Sequence, residues 1–158
     1  MFRELERKHK QISMEECTEL LINETRGVLS VQGDDGYPYG MPMNHWYNPQ
    51  DGKIYFHCGN IGHRLDALRR DNKVSFCVFD KGTKTDDHWA YKVKSVIVFG
   101  KIQIIDDKDI ITDITTKLSY KFIQDDEYIK GEIASSLHRT LLLRLDPEHI
   151  CGKLVTEA

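Results

Sequence analysis

"YFHCGNIGHRLDALRR", Tyr55 to Arg70, changes character halfway along. Tyr55 and Phe56 are strand formers. Ile61, Leu65 and Leu68 recur at helical spacing and predict a helix that starts at an Asn60 cap and ends near Asn72. At the join stand His57, Cys58, Gly59, Gly62, His63 and Arg64. Such a join suits a metal site, an anion site or a plain strand-to-helix turn.

The flanking sequence sets the architecture around this join. Ser13 and Glu16 form a capping-box pattern and predict a helix over 13–24. "VLSV" (28–31) reads as a short buried strand and "GDDG" (33–36) as the turn after it. "YPYGMPMNHWY" (37–47) is extended, because Pro38 and Pro42 forbid helix and lack an amide proton. "KIYFHC" (53–58) and "KVSFCVF" (73–79) are strands, and "DKGTKTDD" (80–87) is a polar loop. "YKVKSVIVFGKIQII" (91–105) is a long β-branched strand in which Gly100 predicts a bulge or a close backbone approach. Asp106 or Asp107 caps a helix bearing Ile110, Ile111, Ile114 and Leu118. "DEYIKGEIASSL" (126–137) is weakly helical because Gly131 interrupts it. "RTLLLRL" (139–145) is a last strand, followed by a tail. The expected fold is a mostly β, six-stranded antiparallel barrel with peripheral helices, because the turns between most strands are too short for parallel crossovers.

The 158 residues suit one domain. A 40% hydrophobic and 30% charged composition is that of a globular chain rather than a disordered one. A net charge of −3 argues against nucleic acid or an anionic membrane as partner. Cys17, Cys58, Cys77 and Cys151 make no C-x-x-C pair, and the charged start "MFRELERKHKQ" is no signal peptide. A reduced, cytoplasmic protein without disulfides or a membrane helix is therefore expected.

At the join, alternation along a strand puts His57 on the Tyr55 face and Cys58 with Ile54 and Phe56. No second cysteine completes a four-ligand set, so no metal is expected. The anion reading is stronger. His63 and Arg64 oppose the helix dipole in the first turn. An anion there would reverse that cost, because free amides and a guanidinium converge on its oxygens. Gly59 and Gly62 let the backbone come close. The alternative is an Arg64 that simply points into solvent.

"GDDGYPYGMPMNHWY", "IYFHCGNIGHRLDAL", "NKVSFCV", "KSVIVFGKIQII" and a late "CGK" occur in this order along the chain. Together they resemble the nitroimidazole-resistance group of the FMN-binding split-barrel superfamily named for pyridoxamine 5'-phosphate oxidase. The resemblance implies a single-domain homodimer with FMN in two clefts at the subunit interface. It implies that Pro42, Met43 and Asn44 lie along the flavin ring, and that His57, Cys58 and Gly59 line it from the next strand. Gly62, His63 and Arg64 would take the phosphate, while Ser95 and Val96 would approach from the partner subunit with Lys153 near the same seam. Without the resemblance, Pro42 straightens an edge strand, His57 is a hydrogen-bonded core histidine, and Ser95 and Lys153 face solvent.

The resemblance also implies an oxidoreductase acting on a small molecule, with His57 as the proton donor beside the ring. Two other readings use the same barrel: a non-enzymatic flavin-binding or sensing protein, and a haem-handling protein. The basic Arg-x-Val-Leu-Leu-Lys strand of true pyridoxamine phosphate oxidases is replaced here by "YGMPMNHW", and their arginine-rich C-terminal motif is absent. Pyridoxamine phosphate is therefore not the expected substrate.

Overall fold

The computed structural model describes residues 1–84, 86–87 and 89–157. Helix α1 (Met14–Asn23) begins at the reciprocal Ser13–Glu16 capping box. Strand β1 (Arg26–Gln32) turns through a 3-10 segment at Asp34–Gly36 into β2 (Pro38–Asn44). A single residue, His45, separates β2 from β3 (Trp46–Asn48). Next come β4 (Lys53–Gly59), α2 (His63–Arg70) and β5 (Lys73–Phe79). The short β6 (Thr83–Lys84) precedes the long β7 (Tyr91–Ile105), and α3 (Lys108–Ser119), α4 (Asp126–Ser136) and β8 (Thr140–Glu157) complete the chain.

All the ladders are antiparallel, in the order β2-β1-β5-β7-β8-β4-β3, with β6 attached to β7. Among the described residues the sheet has 8 strands rather than the expected six, and it curls into a half-barrel instead of closing. The two extra strands come from two places, and the last strand is longer than expected. The 37–47 segment breaks at His45 into two edge strands, and part of the polar 80–87 loop pairs with β7. The expected tail is strand throughout, because β8 pairs with β7 from Ile105↔Leu142 to Tyr91↔Glu157. Thr85 of the polar loop and His88 just after it lie outside the described residues.

Gly100 is both bulge and close approach. The β7–β8 register shifts between Phe99 and Gly100, and a side chain there would collide with the Asp146 carbonyl and Leu145. The concave face of the sheet carries the main core, with Leu29, Phe56, Phe76, Val96, Val98 and Leu143 all at 0% exposure. Leu20 and Leu21 of α1 and Leu65 and Leu68 of α2 seal it. A second cluster packs Ile111 and Ile114 of α3 onto Tyr55 and Leu142 on the other face of β4–β8. Ile110, expected on the apolar face of α3, is instead exposed. The α4 helix forms in full from an Asp125 cap, with Gly131 facing open space.

Candidate functional site

The Tyr55–Arg70 segment does pass from strand to helix, but the cap lies two residues later than expected. The N-cap of α2 is Gly62, at φ 130° and ψ 170°, and Ile61 is 86% exposed ahead of the helix. Only glycine adopts that backbone geometry without strain. No side chain caps the helix, so its first amides carry the partial positive charge of an open N-terminus.

Cys58, Gly59, Gly62, His63 and Arg64 line one depression of about 210 Å³. Cβ atoms built on Gly59 and Gly62 would meet nothing within 4 Å, so both glycines border open space. Tyr39 completes this depression from β2. Its ring stacks on His63 with centroids 4.3 Å apart. His63 also lies 3.5 Å from Asp34, whose carboxylate accepts from Arg70 at 2.6 Å. These contacts tie the β1–β2 turn to α2. Arg64 does not point away into solvent, because its Nε donates to the Met41 sulfur at 2.9 Å and the side chain is half-buried. Burial raises the Cys58 thiol pKa, partly offset by Arg64.

Tyr39 and Met41 were not among the expected site residues. The signal was present: Tyr39, Met41 and Met43 alternate along β2 and share its inner face. Met43 is buried in the core, Pro42 is exposed opposite Val28, and the Asn44 side chain accepts from Arg26 at 3.1 Å. The start of β2, rather than residues 42–44, therefore reaches the α2 depression.

His57 stands on the other face of β4 from Cys58, as alternation requires. It opens into a separate cavity of about 190 Å³ walled by α3 and α4, including Thr115, Ser119, Glu132 and Ser136. Partial burial there, and then the Arg64 charge, lower its pKa below the usual histidine value. It is not a core histidine; that place is taken by His45, which is 0% exposed. Among the described residues no three His, Cys, Asp or Glu side chains converge as a metal-binding group would need.

Ser95 and Lys153 are cross-strand neighbours on β7 and β8. They line a third cavity, of about 450 Å³, on the convex face of the sheet. The Val96 side chain points into the core at 0% exposure, so it can offer only backbone to a ligand on that face. Within one protomer the α2 depression and the Ser95–Lys153 cavity share no residue.

An open helix N-terminus, an adjacent guanidinium and glycine-lined space form a compact cradle suited to a small anion such as a phosphate. This cradle sits on the open, curled antiparallel sheet. The chain belongs to the pyridoxamine 5'-phosphate oxidase family, whose model matches residues 13–154. No curated protein sequence matches it. Among solved structures it is similar to a candidate 5-nitroimidazole antibiotic resistance protein from Bacteroides thetaiotaomicron. That pair has a TM-score of 0.78 and 18% identity, over 93% of this chain and 87% of the other. It is also similar to an FAD-binding protein from Mesorhizobium loti, with a TM-score of 0.67 and 21% identity over 92% and 97% of the two chains. An FAD and haem binding protein from Mycobacterium smegmatis aligns with a TM-score of 0.72 and 20% identity over 92% and 73%. At these identities the likeness is one of fold.

Proposed function

We propose that this protein is an FMN-dependent oxidoreductase of the nitroimidazole-reductase kind, working as a homodimer with FMN in two clefts at the subunit interface. The observation that carries the reading is the α2 cradle. Gly62 is held at φ 130°, the helix behind it is uncapped, and Arg64 lines the same depression. A flavin phosphate brings about −1.5 to −2 charges to such a place if it behaves as other phosphomonoesters do. The flavin, when bound, supplies the redox chemistry, accepting electrons from a nicotinamide or other donor and passing them to the substrate.

The residues of this chain do the rest. Arg64 and the free amides of α2 bind and orient the phosphate. His57, in its protonated form, is the candidate proton donor to a small substrate that enters the α3–α4 cavity on the far face of β4. The convex face supports the dimer: Val28 and Phe79 lie on its β1–β5 half with 36% and 55% of their surface exposed. An apolar face of this kind on an antiparallel sheet is a natural contact for a second copy. Among the described residues no helix is long and apolar enough to cross a membrane, and the four free cysteines support the proposal of a reducing, cytoplasmic setting.

The test is the absorbance spectrum and mass of the purified protein before and after incubation with FMN, FAD and riboflavin. A dimer with one FMN per chain is expected, with riboflavin bound more weakly, NAD(P)H bleaching the flavin and a nitroimidazole then restoring its colour. A monomer that takes up no flavin refutes the proposal. A flavin that no donor and acceptor turn over would instead leave a flavin carrier.

A further inference from the structure

We infer that the N-terminal segment, residues 2–10, is a wall of the flavin site and serves the cleft whose phosphate cradle belongs to the other copy. This rests on the FMN reading above and adds residues to it.

The segment is pinned at both ends to the convex face of the sheet. At one end Gln11 bridges Lys153, and the Ile12 amide donates to the Gly152 carbonyl at 3.1 Å. At the other the Phe2 ring stacks on His149, with centroids 5.1 Å apart and planes 6° apart, and leans on Phe99 at 5.6 Å. Between these anchors the chain lines one side of the open 450 Å³ cavity that holds Ser95 and Lys153.

The lining of the cavity has a particular chemistry. Its floor is apolar, formed by Ile97, Phe99 and Val155. Its rim carries Arg3, Arg7 and Lys10 from the segment and Lys153 from β8. Among the described residues, none of these four cations has a carboxylate oxygen within 4.0 Å. Glu4, also on the rim, is committed to Lys8 at 2.9 Å, which leaves Glu6 as the counter-charge. A flat apolar group bearing negative charge satisfies both floor and rim, and an FMN ring with its phosphate is such a ligand. The cavity shares no residue with the α2 cradle, so one protomer offers two half-sites and a second copy is needed to join them. The segment covers only the β7–β8 half of the convex face. Val28 and Phe79, on the β1–β5 half, stay bare for that second copy.

The experiment is an FMN titration followed by flavin fluorescence quenching. It uses the parent protein, an Arg7→Ala/Lys10→Ala double variant, and a chain lacking residues 2–10. Dimer mass and thermal unfolding serve as fold controls. Loss of FMN affinity by about tenfold or more in the double variant, with mass and unfolding unchanged, is expected. Placement across the interface is read from a mixed dimer of an Arg64→Ala copy and a copy lacking residues 2–10. One tight FMN per dimer is expected, since one cleft then keeps an intact cradle and an intact segment. Parent-like affinity in the double variant overturns the inference while leaving the FMN reading intact. A mixed dimer with no tight site places the segment on its own copy's cradle and overturns the shared wall. A parent that binds no FMN overturns both the inference and the reading beneath it.

Discussion

The Lys121 ammonium donates to the His45 carbonyl at 2.9 Å and to the Glu24 carbonyl at 2.7 Å. His45 is the one residue between β2 and β3, the two edges of the open sheet. Its amide donates to Thr25 at 3.3 Å, and its Nε2 lies 2.8 Å from the Leu21 carbonyl. The seam of the half-barrel is therefore held by a buried imidazole and an ammonium rather than by a ladder. Burial, and then the Lys121 charge, pull the His45 pKa down to about 4, and burial brings Lys121 down to about 8.

This seam makes stability depend on acid. The folded pKa of His45, about 4, lies below its unfolded value of 6.5. The unfolded chain therefore binds the proton first. Stability is fully present above pH 6.5 and is lost as the pH falls towards 4, by about 3 kcal/mol at 1.36 kcal/mol per unit. His45→Gln keeps a donor for Leu21 and cannot titrate. Urea midpoints from pH 7 to 4 should fall less steeply in this variant than in the parent, and equal slopes would remove His45 as the acid-sensitive group.

Gly62 and Gly59 separate backbone need from space. Both face open space, but only Gly62 has a positive φ, 130°. Gly62→Ala should cost about 1–3 kcal/mol of stability, while Gly59→Ala should stay near the parent. Denaturant midpoints of the two variants decide this, and equal losses would mean that the turn at Gly62 is not strained for other residues.

Arg64→Ala should weaken FMN much more than riboflavin, because only FMN carries the phosphate. A charge-assisted contact of this kind is worth about 1.5–3 kcal/mol, or roughly ten- to hundredfold in affinity. Parallel titrations with the two ligands check it. Equal loss for both would assign Arg64 to the fold through its contact with Met41.

His57→Ala should keep the fold and most FMN affinity, since the side chain opens into the α3–α4 cavity and is not in the core. Reoxidation of the reduced flavin by a nitroimidazole should slow by ~10²–10⁴-fold, the usual worth of general acid catalysis. Reduction by dithionite should not change. Because the His57 pKa is lowered, its protonated form grows only below pH 6.5, and the nitroimidazole step in the parent should speed up as the pH falls through that region. Stopped-flow absorbance follows the two half-reactions separately, and a pH-independent nitroimidazole step would exclude His57 as the donor.

Much of this molecule could be read from local chemistry. The Ser13–Glu16 box, the Asp107 cap, the strand-to-helix join and the Gly100 bulge each depend on residues close in sequence, so their signals survive without a partner. The placing of Cys58, Gly59, Gly62, His63 and Arg64 around one depression followed in the same way, because they sit within a single turn of chain. The helix cap was misplaced at Asn60 because side-chain preference favours asparagine. A φ of 130° at Gly62, imposed by the route from β4 into α2, overrode that preference.

Only the tertiary structure decided the rest, and the reason is long-range pairing. Residues 146–157 have the composition of a tail, with Pro147 and scattered charges. They become strand because β7 supplies the backbone partners that they lack alone, and Pro147 is tolerated opposite Gly100, where the register shifts. The ring of His45 has no sequence signature, yet it is fully buried because α1 and the residues after α3 meet over the β2–β3 break. Tyr39 and Met41 joined the cradle because α2 folds back over β2. Sequence determined that Gly59, Gly62, His63 and Arg64 lie within one turn of chain. The curl of the sheet decided that Arg64 holds one face of β4 and His57 the other, with Lys153 in a different cavity, because strand alternation and antiparallel register set where neighbouring side chains go.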